Sequence, residues 1–148
     1  MYLVDTNVLS AGAPTKATPA ASLVAWMERN SERLYLSVIT VAEVEDGIAK
    51  ARREAAHRKA DRLAEWLETL LHLYSARILP LDVPASRVLG GLSDQARGAG
   101  HAPGLADLAI AATAQIRGYT VMTRNVRHFR WLAVPSHDPF DSLPGEAR

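Results

Sequence analysis

Tyr2-Leu3-Val4-Asp5-Thr6-Asn7 is the stretch of sequence that decides the fold. Three apolar residues are followed directly by three polar ones, which is typical of a short strand that is buried on both faces and ends in a polar turn. Such strands occur in parallel sheets that are covered by helices on both sides. The stretch therefore predicts the first strand of an α/β sheet, with Asp5 at the carboxyl end of that strand.

Further short apolar segments alternate with helical patterns along the chain. Strands are predicted over residues 34–38, 77–81, 119–123 and 131–134. Helices are predicted over residues 18–30, 40–74 with a bend near 51–56, from 83 onward, and 106–116, where Gly118 ends the helix. The alternation predicts an α/β/α sandwich around a mostly parallel sheet of four to five strands. We expect one domain over residues 1–148, with a polar tail from about residue 136.

The composition excludes several classes of protein. Hydrophobic residues make up 48% of the chain, which excludes a disordered protein. The absence of cysteine excludes a disulfide scaffold, a thiolate metal site and a cysteine nucleophile. The first residues lack the basic and apolar regions of a signal peptide, and no stretch approaches about 18 consecutive apolar residues. We therefore expect a cytoplasmic protein without a membrane-spanning segment.

Three acidic residues interrupt apolar surroundings at predicted strand ends or helix starts, namely Asp5, Glu43 and Asp107. Each has a structural explanation of its own: a turn for Asp5, a capping box with Thr40 for Glu43, and the helix dipole for Asp107. In a parallel α/β sheet, however, these positions share the edge at which sites form. Clustered carboxylates repel one another unless a cation neutralises them, and their oxygens suit Mg²⁺ or Mn²⁺. Such a site supports metal-assisted hydrolysis of a phosphodiester.

Four segments in order along the chain resemble the motifs of one family. They are Tyr2-Leu3-Val4-Asp5-Thr6-Asn7-Val8-Leu9-Ser10, residues 37–48 with Glu43 and Gly47, residues 107–114 beginning Asp107-Leu108-Ala109, and Val121-Met122-Thr123-Arg124-Asn125-Val126-Arg127-His128-Phe129. Together they cover nearly the whole chain and resemble PIN-domain ribonucleases. The nearest group is the VapC-type toxins of bacterial toxin–antitoxin pairs, including the FitB-like branch.

The resemblance implies a metal-dependent endoribonuclease toxin, with Asp5, Glu43 and Asp107 as the acidic residues that bind Mg²⁺ or Mn²⁺. It also implies a cognate antitoxin, an RNA substrate and a homodimer. Asn125 stands where the family has Asp or Asn, and we expect it to assist catalysis. Many members have an acid at the position of His128, so this chain lacks the fourth carboxylate, which suggests a weaker second metal.

Four further residues are predicted to contact substrate. Thr6 and Thr123 are candidate hydroxyl partners at the rim of the pocket, and Arg124 and Arg127 belong to a basic segment over 117–130 that contains four Arg and no acid. A second basic run over 50–62 holds six Lys and Arg against two acids, while the whole chain has a formal charge of only +1. The near-zero net charge of the whole chain therefore conceals two basic segments that could bind an RNA backbone. The run over 50–62 also fits a solvated helix face.

Two other interpretations of the sequence are alternatives to a ribonuclease. A degenerate PIN module would bind a partner or nucleic acid without cleaving it, which the missing fourth carboxylate favours. A phosphatase or receiver domain needs a second acid beside the one that ends the first strand, and Thr6 stands there instead. Of the aromatic residues, Trp26, Trp66 and Trp131 are predicted as core or dimer contacts, because stacking on RNA bases would require their exposure. The histidines lack metal-binding spacing, and His128 is predicted as a surface residue.

Overall fold

Five parallel strands form the central sheet of the protein. The computed structural model describes residues 1–16 and 20–145. The strands are β1 (Tyr2–Val4), β2 (Leu34–Ser37), β3 (Ile78–Leu79), β4 (Thr120–Met122) and β5 (Ser136–His137), and they lie in the order β3-β2-β1-β4-β5. Every neighbouring pair is parallel. The predicted parallel α/β sheet is therefore confirmed, with five strands.

Seven α-helices in the described residues connect and cover these strands. They are α1 (Thr6–Leu9), α2 (Ala21–Arg29), α3 (Val38–Arg53), α4 (His57–Leu73), α5 (Val83–Gly98), α6 (Leu105–Arg117) and α7 (Val126–Arg130). The helix predicted over 18–30 corresponds to α2, and residues 18 and 19 of that prediction lie outside the described residues. None of the helices in residues 1–16 and 20–145 has the length and apolar character needed to cross a bilayer.

Alternating residues of the central strands supply two separate cores. Leu3 of β1 and Val121 of β4 pack into a cluster with α5 and α6, whereas Val4 and Met122 pack on the opposite face with α1, α2 and α4. All four side chains are buried. Burial on both faces explains why these strands are apolar throughout, and it confirms the helix–sheet–helix layering.

The segment 40–74 is two helices rather than the single bent helix that the sequence predicts. α3 ends at Arg53 and α4 begins at His57, and the two pack against each other around a small core of their own. The reversal depends on Ala55, which takes a left-handed conformation with φ of 60°. The N–H of Ala56 donates to the carbonyl of Ala51, which closes the helix end. Gly is the usual residue at such a position and none occurs in residues 51–56, so the sequence indicated a bend there and not a full reversal of the chain.

The last strand is also placed differently from the prediction. Residues 131–134 form a turn after α7, with Ala133 at a φ of 51°, and the strand is Ser136–His137 in the segment predicted as a polar tail. The N–H of Thr123 donates to the carbonyl of His137, so this tail extends the sheet beside β4. The apolar residues Leu132 and Val134 are buried against the helices instead. Residues 146–148 of the predicted tail lie outside the described residues.

Candidate active site

Asp5 lies at the carboxyl end of β1, where it is 5% exposed. Its Oδ1 accepts a hydrogen bond from the backbone N–H of Thr6 at 2.7 Å. Its Oδ2 accepts from the Thr123 hydroxyl at 2.7 Å and from the Asn7 side-chain amide at 2.9 Å. Three donors from the ends of two neighbouring strands therefore fix the position of this carboxylate.

Glu43 reaches the same place from α3. Its Oε1 accepts a hydrogen bond from the Thr6 hydroxyl at 2.9 Å. Thr6 thus contacts two acids, Asp5 through its backbone N–H and Glu43 through its side chain. Both threonines that were expected to contact substrate, Thr6 and Thr123, direct their hydroxyls at carboxylates in this structure.

The capping box predicted between Thr40 and Glu43 does not form. α3 begins at Val38, two residues earlier than predicted, and its cap is Ser37, whose Oγ accepts from the N–H of Ile39 at 3.1 Å. Thr40 is therefore inside the helix and buried, and Glu43 lies in the second turn rather than the first. Glu43 is free of any capping role and is available to the site.

Asp107 is the third residue of α6 and approaches the site from the other side of the sheet. Its Oδ2 lies 2.9 Å from Nδ1 of His128, which belongs to α7. His128 was expected to be a surface residue, and about half of its side chain is indeed exposed. The ring nevertheless contacts Asp107, an acid of the site.

The three carboxylates influence one another electrostatically. The pKa of Asp5 is raised above its ordinary value of 3.8, mainly by burial and further by the charge of Asp107, against the lowering effect of its hydrogen bonds. The pKa of Glu43 is raised above 4.5, first by loss of hydration and then by Asp5, Asp107 and Asp46. Asp5, Glu43 and Asp107 therefore lie near enough to one another to interact, and their role as a shared set of metal ligands stays a prediction.

The donor set fits a hard divalent cation. Ionised carboxylates that raise each other's pKa are stabilised by a nearby positive charge. Within residues 1–16 and 20–145, no three Asp, Glu or His side chains converge tightly enough to hold one ion between them. Mg²⁺ commonly takes one or two carboxylates and fills the remaining positions with water, so fewer than three direct ligands suffice.

The remaining predicted residues follow β4. Asn125 donates its backbone N–H to the Thr123 hydroxyl at 3.0 Å, and its exposed side chain makes no hydrogen bond within the described part of the chain. Arg124 donates its backbone N–H to Oδ1 of Asn7, and its guanidinium lies 4.4 Å from the centre of the Phe140 ring. Arg127 lines a cleft that Asp107 and His128 also line.

The sequence interpretation missed two residues of this site. Asn7 links Asp5, Thr123 and Arg124 through both ends of its amide, and the polar run Asp5-Thr6-Asn7 was the signal that could have identified it. His128, in the fourth motif, was predicted as a surface residue and not as a partner of an acid. Its pairing with Asp107 depends on the packing of α6 against α7, which motif spacing does not reveal.

The comparisons with known proteins agree with this arrangement. The PIN domain model matches residues 2–133. The chain belongs to the PIN-domain family. A VapC ribonuclease of Sinorhizobium fredii, Y4jK, is 36% identical over 143 residues, which cover 95% of this chain and 99% of that protein.

The chain is also similar to proteins of Neisseria gonorrhoeae. Its toxin FitB is 38% identical over 131 residues, which cover 87% of this chain and 91% of that protein. The crystal structure of FitAcB superposes with a TM-score of 0.83 at 37% identity, covering 95% of this chain and 99% of that one. This PIN domain therefore has the fold of a solved toxin of the same family.

Proposed function

We propose that this PIN domain is a Mg²⁺- or Mn²⁺-dependent endoribonuclease and the toxin of a type II toxin–antitoxin pair. The observation that carries the proposal is that Asp5, Glu43 and Asp107, from three distant segments, lie close enough for the charge of Asp107 to raise the pKa of both Asp5 and Glu43. The names of the similar proteins, a VapC ribonuclease and the toxin FitB, support it. A homodimer that binds a cognate antitoxin follows from the same family membership.

In such a reaction, the neighbours of the three acids hold the carboxylates in position. Thr123 and Asn7 orient Asp5, Thr6 orients Glu43, and His128 holds Asp107. When bound, Mg²⁺ or Mn²⁺ lowers the pKa of water and stabilises the charge that develops at phosphorus.

Two arginines are suited to holding the substrate. Arg124 and Arg127 are exposed on the segment that follows β4, where their charges can bind RNA phosphates beside the acids. Asn125 offers an uncharged amide in the same region. These arginines offset the repulsion between an acidic site and an anionic substrate.

Cleavage of RNA by the purified protein tests the proposal. We expect single-stranded RNA to be cut in Mn²⁺ or Mg²⁺ and to stay intact in EDTA. Asp5→Asn should abolish cleavage with an unchanged circular dichroism spectrum. The matched control is Asp94→Asn, because Asp94 is exposed and its one ion pair in the described part of the chain is with Arg97 on its own helix. Cleavage by Asp5→Asn at the parent rate would overturn the assignment.

A degenerate PIN module that binds without cleaving remains the second candidate. The observation in its favour is that His128 and Asn125 bring no carboxylate, so the site has three acids. Titration calorimetry separates the two: Mn²⁺ binding that Asp5→Asn removes supports the enzyme, and the lack of any binding at millimolar Mn²⁺ supports the module.

A further inference from the structure

A cleft of about 370 Å³ opens beside the acidic site. Its lining includes Asp107 and His128 together with His101, Arg127 and Trp131. Of these residues, only Asp107 and His128 belong to the acidic site itself. The cleft is therefore continuous with the place where a phosphodiester would bind, and it has a lining of different chemistry.

Two residues of the cleft lining, His101 and Trp131, form an aromatic pair. The rings of His101 and Trp131 are stacked with centroids 4.0 Å apart and 27° between their planes. Trp131 is 53% exposed, whereas Trp26 of α2 is 4% exposed. Of the two expectations for Trp131, a core contact is therefore wrong and a dimer contact stays a prediction, and the exposure that base stacking requires is met.

Local backbone structure fixes both rings. α5 ends in a turn in which Gly100 has a φ of 80°, and the N–H of His101 donates to the carbonyl of Ala96 at 2.8 Å. This 6→1 hydrogen bond is typical of a helix terminated by glycine, and it sets the direction of His101. Trp131 directly follows α7. That helix is held in place by its residue Phe129, which is fully buried. Because both rings follow helix ends that are held in place, the stacked pair of His101 and Trp131 is present before any ligand binds.

The charges around the cleft suit a nucleotide. Arg127 is exposed and forms no ion pair with any acid in residues 1–16 and 20–145. A free guanidinium next to an exposed indole offers one contact for a phosphate and one for a base. Single-stranded RNA is commonly recognised by stacking its unpaired bases on aromatic side chains.

We propose that this cleft binds one unstacked base of a single-stranded RNA, adjacent to the phosphodiester at the acidic site. The inference rests on the proposed function, because it takes the bound polymer to be the substrate of that site. The base stacks on the exposed part of Trp131, and Arg127 binds the phosphate next to it. A base-paired duplex cannot enter in this way, since its bases remain stacked on one another.

Binding measured in EDTA tests this proposal without any cleavage. The probe is a fluorescein-labelled 12-nucleotide RNA that contains all four bases, and the comparison probe is an abasic ribose-phosphate chain of the same length. Trp131→Ala should weaken binding of the base-bearing probe roughly tenfold and leave binding of the abasic chain unchanged. Trp131→Phe, which retains a ring, should stay within about threefold of the parent protein.

Ile116→Ala serves as the control, because Ile116 is a large exposed apolar residue at the opposite end of α6 from Asp107. It should bind both probes like the parent protein. The proposal is overturned if Trp131→Ala weakens both probes equally or neither, because no base then stacks on Trp131. Failure of the proposed function can be told apart from failure of this proposal. If only the proposed function fails, the protein does not cleave RNA, but Trp131→Ala still weakens binding of the base-bearing probe.

Discussion

Thr123 is a fully buried polar residue that organises the acidic site. Its hydroxyl donates to Asp5 and accepts from the backbone N–H of Asn125 and from the amide of Asn7. The hydrogen bond to Asp5 lowers the pKa of that acid and opposes the effect of burial. A single hydroxyl thus keeps a buried carboxylate closer to its ionised state.

Thr123→Val removes this hydroxyl at nearly constant shape. We expect it to lower the free energy of unfolding by about 1–3 kcal/mol, because a buried acid and a backbone N–H both lose a partner. It should also weaken Mn²⁺ binding, since the pKa of Asp5 rises further. Thr113→Val is the matched control, because Thr113 is equally buried but donates only to Ala109 in its own helix. Equal losses of Mn²⁺ affinity in the two variants would contradict the role given to Thr123.

The raised pKa values predict a pH-dependent response to metal. Because Asp5 and Glu43 hold their protons more tightly when folded, their ionisation costs stability as the pH rises from the ordinary carboxyl range through the raised values. A cation that neutralises the ionised acids removes this cost. The rise in melting temperature caused by Mn²⁺ should therefore be small near pH 4 and grow toward about pH 8. A rise that is constant over this range would speak against the acids as the binding site.

The acids and their hydroxyl neighbours Thr6 and Thr123 could be proposed from the sequence, whereas the contact of Asp107 with His128 could not. Asp5 follows an apolar strand, and Glu43 comes shortly after the next strand along the chain. Asp107 follows a loop that contains Pro and Gly. Parallel α/β sheets place their sites at such positions. His128 is different, because its contact with Asp107 joins residues 21 positions apart on two helices. Nothing in the local sequence fixes how those helices pack.

Helix ends are the elements on which this fold depends most directly. Ala55, Gly100 and Gly118 all have a positive φ, and each follows the end of a long helix. The sequence predicts the end at Gly118, because glycine tolerates the left-handed region. It does not predict the end at Ala55, because alanine takes that conformation only when packing between α3 and α4 outweighs its steric cost.

Ala55→Gly should therefore stabilise the protein. The steric cost of a left-handed alanine exceeds the extra backbone entropy of glycine by about 0.5–1 kcal/mol. Gly118→Ala is the reciprocal change and should destabilise the protein by a similar amount, since its φ is 67° with open space around it. Urea unfolding of both variants measures the effect. Destabilisation by Ala55→Gly would contradict the proposed steric cost of the left-handed conformation at Ala55.

At the scale of the whole molecule, charge is segregated. The acids meet at the carboxyl edge of the sheet, while Arg124 and Arg127 stand beside them and the basic run over 50–62 surrounds the reversal between α3 and α4. The order of strands and helices was predictable from alternating patterns. The short β5 was not, because a two-residue strand of polar residues carries no periodic signal.

The exposed apolar surface predicts self-association. Val83 and Leu105 are 73% and 70% exposed at the starts of α5 and α6, although both are large hydrophobic residues. Light scattering on the purified protein should therefore give twice the mass of one chain, and Val83→Asp combined with Leu105→Asp should shift the mass toward that of one chain. A monomer at every concentration of the unmodified protein would contradict this.

The central claim is that Asp5, Glu43 and Asp107 support attack of water on an RNA phosphodiester. The most direct measurement is the chemistry of the new RNA ends formed in ¹⁸O-labelled water with Mn²⁺. The account predicts one ¹⁸O atom in each new terminal phosphate, no 2′,3′-cyclic phosphate, and no products with Asp5→Asn. Cyclic phosphate ends without ¹⁸O, or unchanged products from Asp5→Asn, would contradict it.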